Sequence, residues 1–547
     1  MLGEGASSVL ADAARFSVCV NVRENAKSSH AGASIHPAPL PRRPDGCSRH
    51  QCDPPTRRES PGDRHPLQGS RASAQIGGAA HSYNRTVSDL RDSLHWAADQ
   101  IAAYRGGLKD RPVAQAVDAQ KLRAGLGGPL PSQGAGAQEV IEQLAGAVAP
   151  ALVATAGPRF FGFVVGGSLN SATAADILAT GWDQVAFNYT TSPAGAIVEE
   201  VVGEWLKDLF GLPASASFGL VTGGQSGNNV ALAAGRHSVL AQAGWDVEEQ
   251  GLRGAPRIRI VAGDERHATI DRALRLLGIG NAAVEPVPAG PNGAIDTGAL
   301  AGVLASGPKS PTIVCLQAGN VNTGACDDLA AGCRAAKEHG AWVHVDGAFG
   351  LWAAVSPATR HLVNGIELAD SWSVDGHKWL NVPYDCGFVF CSDPVAHVAS
   401  MSYNAAYLTG HGEGAQRHPA DYVPESSRRA RGFATWAALR ELGRDGLAEL
   451  IDRCCAHARR FRDELGRLEG VEIGNEVELN QVLVSFGSDD RTLQVIKAVQ
   501  DDGTFWAGGT TWRGRRYMRI SVSNWSTTTG DVDRSVDAIR KMLGEAG

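Results

Sequence analysis

Asp346 and Lys378 stand 32 residues apart, and each lies where an α/β chain keeps its chemistry. Trp342 to Val345 alternate and run into the Asp346 carboxylate. They read as a short buried strand with Asp346 at its C-terminal end. Open α/β sheets bind ligands outside that end. Lys378 follows a histidine in Asp375-Gly376-His377-Lys378-Trp379. A carboxylate can keep a pyridine nitrogen protonated, and a lysine amine can hold the same ring covalently. Those two functions are what a pyridoxal phosphate site requires.

Other stretches add to this pair. Gly219-Leu220-Val221-Thr222-Gly223-Gly224-Gln225-Ser226-Gly227-Asn228-Asn229 reads as a short apolar strand, a glycine turn and the start of a helix. Backbone N–H groups exposed at such a start bind a dianionic phosphate. Ser226 is equally suited to cap the helix. His267 follows the strand Ile258 to Ala262 and precedes an amphipathic helix. Arg519 lies on a late strand, Tyr517 to Val522, where a guanidinium can fork a carboxylate.

The run Asp370-Ser371-Trp372-Ser373-Val374-Asp375-Gly376-His377-Lys378-Trp379-Leu380, with Asp385-Cys386 after it, resembles the group II pyridoxal-phosphate-dependent amino acid decarboxylases. Arg360 to Asp370 resembles the aromatic branch of that family. The resemblance extends from about Asn84 to the C-terminus. It implies a fold type I α/β enzyme, with a large domain on a mainly parallel sheet and a small C-terminal α/β domain. It also implies a cytoplasmic homodimer, pyridoxal 5'-phosphate as cofactor and decarboxylation of an L-amino acid, with aromatic substrates favoured. Another pyridoxal phosphate reaction (a lyase or an aldehyde synthase) and a non-catalytic paralogue stay open.

Carried over residue by residue, the resemblance assigns Lys378 and Asp346 to the cofactor and stacks His267 on its ring. It places Gly224, Gln225 and Ser226 at the phosphate, and groups Ala348, Asp375 and His377 with the cofactor residues. Asp375 stands where other members have Asn or Ser, with no role of its own assigned. Phe163 matches an aromatic substrate contact often supplied across the dimer, and Arg519 matches a substrate anchor. Tyr422 corresponds to a loop acid that returns a proton after carbon dioxide leaves, with Tyr403 and Tyr407 as alternatives. Two places depart from the family pattern. Val164, Val165 and Gly166 replace Phe-Pro-Thr, and Asn320-Val321 replace two threonines. Asn320, Asn322 or Thr323 could restore the lost polar contact.

The rest of the chain must position these groups. At 547 residues it exceeds one hydrophobic core. Its formal charge of −7 and its lack of a basic stripe argue against nucleic acid as partner. No apolar run reaches the ~20 residues of a membrane span. The ten cysteines form no CxxC pair, so neither a metal site nor a disulfide framework is expected. Residues 1–83 are expected as a disordered or non-native extension, and 84–150 as a helical segment including Ser88 to Tyr104 and Gln138 to Val148. Residues 151–398 form the cofactor domain in this reading. A mobile linker, 399–431, leads to the small domain, 432–547, which opens with a helix over Phe433 to Leu450.

Overall fold

The structure is a computed structural model that describes residues 87–403 and 416–545. The expected N-terminal extension and Tyr407 lie outside the described residues. Seven strands form the main sheet: β1 (Ser217–Val221), β2 (Arg259–Gly263), β3 (Val284–Val287), β4 (Thr312–Gln317), β5 (Trp342–Asp346), β6 (Ser371–Asp375) and β7 (Gly387–Cys391). Their order is β1-β7-β6-β5-β4-β2-β3. Strands β3, β2, β4, β5 and β6 run parallel. Only β7 reverses, pairing antiparallel with β6 on one side and β1 on the other. This is the mainly parallel α/β sheet expected from the sequence. Every residue of β1, β5, β6 and β7 is buried, and β1 and β7 accordingly carry mostly apolar side chains.

The topology brings the chemistry-bearing segments to one edge. Asp346 ends β5 and Asp375 ends β6. Gly387, the first residue of β7, pairs with both Asp375 and Val221, which fastens the ends of β6 and β1 side by side. The helix Gly224–Gln242 starts from the end of β1, and the helix Ala268–Leu276 follows β2. A second, antiparallel sheet contains β8 (Glu472–Ile473), β9 (Gln481–Ser485), β10 (Gly508–Trp512) and β11 (Arg515–Ser521), in the order β10-β11-β9-β8.

The first helix spans Val87–Gly106. Two expectations change. The helix expected over Phe433 to Leu450 runs from Gly432 to Leu465, broken at Gly443, whose φ of 62° only glycine adopts freely. Residues 416–431, expected within a mobile linker, are fastened to the large sheet. Arg428 Nη1 and Arg417 Nη1 donate to the two oxygens of buried Glu199, at 2.7 and 3.2 Å. Leu90, Leu94 and Ile101 of the first helix, and Val140 and Leu144 of Ala137–Val148, are exposed among the described residues. Among the described residues no helix is long and apolar enough to cross a membrane.

Candidate active site

Asp346 is 4% exposed, and each carboxylate oxygen has a donor. Oδ1 accepts the Ala348 N–H at 3.2 Å. Oδ2 accepts the Asn228 amide at 3.0 Å and faces the Thr269 hydroxyl at 3.4 Å. Asn228 is itself fixed from behind. Its Oδ1 receives His344 Nε2 at 3.0 Å and Ser373 Oγ at 2.6 Å. A carboxylate held this way keeps its orientation without reorganisation when a cation comes to it. Burial holds the His344 imidazole down at about 4, so it is neutral and serves as a hydrogen-bonding strut.

Lys378 sits on the short turn Gly376–Trp379 that follows β6. Its Nζ lies 2.8 Å from Asp375 Oδ2. Asp375 Oδ1 accepts the backbone N–H of Gly224, the first residue of the Gly224–Gln242 helix, at 2.5 Å. His377 Nε2 stands 3.5 Å from the same oxygen, and His377 Nδ1 accepts the Cys386 N–H at 3.2 Å. Burial opposes the Asp375 charge. The Lys378 and His377 charges and the hydrogen bonds from Lys378 and Gly224 outweigh it and hold the carboxyl below its ordinary value.

His267 precedes its helix as the cap. Its Nδ1 accepts the Thr269 N–H at 3.3 Å and lies 2.8 Å from Thr269 Oγ1. An Nδ1 that accepts an N–H leaves the ring proton on Nε2. Burial lowers the His267 pKa, Asp346 pulls the other way, and the Lys378 and Arg519 charges add to the lowering. The imidazole is therefore neutral near pH 7, within the fields of Asp346, Lys378, Arg519 and Asp375. Arg519, half-buried on β11, donates from Nη1 to the Val321 carbonyl at 3.0 Å.

Phe160 and Phe161 are core residues, whereas Phe163 is 66% exposed. The Phe163 ring stacks on Trp506 at 5.2 Å, and its φ of 54° turns the chain there. The segment that follows passes beneath the lysine: a Cβ on Gly166 would lie 1.6 Å from the Lys378 carbonyl oxygen. Glycine at 166, where the family has Thr, is thus a steric requirement here.

Three further sequence readings have other surroundings in this structure. Tyr422 closes the turn Pro419–Tyr422 on the flank of β1, where a Cβ on Gly219 would meet its carbonyl oxygen at 2.8 Å. The Arg417 guanidinium covers its ring at 4.3 Å and His397 stands edge-on at 5.3 Å. None of these contacts reaches Lys378, Asp346 or His267. Tyr403 Oη pairs with Ser426 Oγ at 2.5 Å. The polar groups offered for the missing threonines already have partners. Asn320 Oδ1 accepts the Asn322 N–H at 2.8 Å, Thr323 Oγ1 donates to the Asn292 carbonyl at 2.7 Å, and Asn322 Oδ1 receives Thr510 Oγ1 at 2.9 Å. Ser226, a candidate cap, is the third residue of its helix, and Gly223 holds the cap position.

Sequence reasoning missed Asn228, Thr269, His344 and Tyr384. Asn228 and Thr269 each fall two residues beyond a residue already singled out, Ser226 and His267. Tyr384 lies over the His377 ring at 4.4 Å.

These groups fit pyridoxal phosphate. Asp346 offers a buried carboxylate for a ring nitrogen, Lys378 an amine and His267 a flat neutral ring. The N–H groups of Gln225 and Ser226 lie in the first turn of their helix, where backbone donors have no partner within the helix. Gly223 and Gly224 keep that place open. A Cβ on Gly223 would meet His377 Cε1 at 2.8 Å, and one on Gly224 would lie 3.2 Å from Asp375 Oδ2 and 3.6 Å from the Ala348 Cβ.

Comparison with known proteins agrees. Residues 120–487 match the model of the pyridoxal-dependent decarboxylase conserved domain. Tryptophan decarboxylase 1 of Oryza sativa is 28% identical over 491 residues, covering 84% of this chain and 94% of the relative. The 4-hydroxyphenylacetaldehyde synthase of Rhodiola rosea is 25% identical, covering 84% and 95%. The crystal structure of Oryza sativa TDC with PLP and tryptamine superposes with a TM-score of 0.79 at 26% identity, covering 85% of this chain and 99% of that one. With the match spanning most of the chain and the site built on the same cofactor chemistry, the chain belongs to the pyridoxal-dependent decarboxylase family, as a carboxy-lyase that uses pyridoxal 5'-phosphate.

Proposed function

We propose that this chain acts as a cytoplasmic homodimer that removes the α-carboxylate of an aromatic L-amino acid to give the amine and carbon dioxide. The observation that supports it most is the convergence of Lys378, Asp346, His267 and Arg519 at the C-terminal edge of the main sheet, with the exposed Phe163 ring on a segment that passes under Lys378. The decarboxylase relatives support the aromatic side chain. The exposed apolar residues of the two N-terminal helices support a second subunit, and the seven free cysteines of the described residues support a reducing compartment.

Bound pyridoxal phosphate supplies a conjugated cation that draws off the electrons left when a carboxylate departs. The chain's residues do the rest. Asp346 keeps a proton on the ring nitrogen, and Asn228 keeps Asp346 aimed. Lys378 would hold the cofactor through its Nζ and give way to the substrate amine. The neutral His267 ring would restrain the cofactor ring. Arg519 takes the substrate's charged end, and Phe163 its side chain. Gly224, Gln225 and Ser226 would take the phosphate, and Ala348, Asp375 and His377 would line the cofactor beside them. A tyrosine of the 399–431 stretch, Tyr422 first, returns the proton.

An aldehyde-forming reaction is the second reading, because an aldehyde synthase stands among the relatives at similar coverage. Incubation of the holoenzyme with tryptophan, tyrosine, phenylalanine and glutamate separates the two. Amine and carbon dioxide in equal amounts from an aromatic substrate support the proposal. Aldehyde with ammonia supports the second reading, and turnover of glutamate alone removes the aromatic assignment.

A further inference from the structure

Asp375 leaves a question that the family reaction does not answer. A helix start that cradles a phosphate offers its first N–H groups to that anion. Here the first of them, on Gly224, already donates to Asp375 Oδ1 at 2.5 Å. The other carboxylate oxygen takes the Lys378 ammonium at 2.8 Å. The backbone of Asp375 cannot move aside easily. It pairs with Gly387 in β7, and its N–H donates to the Ala348 carbonyl at 2.9 Å. A phosphate monoester is a dianion above about pH 6. A buried carboxylate and a dianion sharing one N–H repel each other strongly in a low dielectric.

We propose that Asp375 is a resident competitor for the cofactor phosphate, holding the anion seat of the Gly224 helix until it takes up one proton. The proton comes from solvent and converts the carboxylate to a carboxylic acid. The acid keeps one oxygen on the Gly224 N–H and turns its new O–H toward the phosphate. It then donates a hydrogen bond, as an amide in that place would. Cofactor loading is thereby coupled to proton uptake. This inference rests on the pyridoxal phosphate reading of the site.

The other charged or titratable groups that face Asp375 do not supply the same signature. His267 is held neutral by burial. Burial and the Asp375 charge push the Tyr384 phenol up to about 12. Asp346 and Lys378 are present in every variant compared. His377 lies 3.5 Å away and is also common to the compared proteins, so a slope that survives removal of the Asp375 charge belongs to it.

The test uses pyridoxamine 5'-phosphate, which has the ring and phosphate but no aldehyde, so Lys378 forms no bond to it. Its Kd is measured by fluorescence from pH 7 to 9 in the wild type and in Asp375→Asn. Calorimetry in two buffers of different ionisation enthalpy counts protons in the wild type. The wild-type Kd should rise about tenfold per pH unit, with about one proton taken up per site. Asp375→Asn should bind at least about tenfold tighter at pH 8 and lose most of the slope. Equal slopes in the two proteins, weaker binding by the variant, or binding without proton uptake by the wild type would overturn the proposal. Pyridoxamine without the phosphate should show only the shallower slope of its own ring nitrogen, which both ligands share, and a slope as steep as that of pyridoxamine 5'-phosphate would also overturn the proposal. If neither protein binds pyridoxamine 5'-phosphate better than pyridoxamine, the phosphate seat itself is wrong and the inference falls with it.

Discussion

The Asn228 amide nitrogen stands 3.0 Å from Asp346 Oδ2, and its carbonyl oxygen is held by His344 and Ser373. One side chain from the Gly224 helix thus ties β5 and β6 together and aims the carboxylate that we propose for the ring nitrogen. Asn228→Ala removes a hydrogen bond to a charged group, a loss of about 1.5–3 kcal/mol. It should lower kcat by roughly ten- to a hundredfold with circular dichroism unchanged. Steady-state kinetics at saturating cofactor checks this, and wild-type kcat would show that Asp346 needs no such support.

Stability should fall as pH drops from about 6.5 towards 4. Burial holds His344 and His397 at about 4, so the unfolded chain binds more protons than the fold in that window, and stability is lost on acidification. Asp327 opposes this. Burial raises its carboxyl to about 6, so the fold binds its proton first and gains on acidification from about 6 to the ordinary carboxylate value. Two groups against one leave a net loss. Thermal unfolding of the cofactor-free protein at pH 7.5 and pH 5 measures it, and a higher Tm at pH 5 would contradict the burial of these imidazoles.

The proton-return assignment separates Tyr422 from its rivals by products. Tyr422→Phe should slow amine release while leaving substrate binding intact, and raise oxygen-dependent aldehyde and ammonia. Tyr403→Phe and Tyr407→Phe should match the wild type. The packing of Tyr422 between Arg417 and His397 means that the ring must leave this position, or serve a second subunit, to do so. An unchanged amine rate in Tyr422→Phe removes it from the chemistry.

Strands β1, β2 and β5 were legible because both faces of the main sheet are covered. The strand read from Trp342 with Asp346 at its C-terminal end has those bounds in the structure. The reversal of β7 was not legible, since an apolar run carries no direction. Asp346, Lys378 and His267 could be read because they end or follow elements with clear signatures. Asn228 could not, because a polar residue inside a helix ordinarily faces solvent. Its one signal was position: it stands beside Gly227 and two residues before Val230, on a helix buried over most of its surface. Gly443 broke a helix whose apolar spacing continued past it. The placement of Tyr422 depends on Arg417 and Glu199, whose pairing spans more than 200 residues of sequence and leaves no local trace.

The central claim is that Lys378 carries the cofactor opposite Asp346. Borohydride reduction of the holoenzyme followed by peptide mapping tests it most directly, because only an amine bonded to the cofactor aldehyde is fixed by reduction. The label should appear on the peptide containing Lys378 and on no other, and Lys378→Ala should carry none. A stable label on a different lysine, or a reduced Lys378→Ala that still holds the cofactor, would contradict the account.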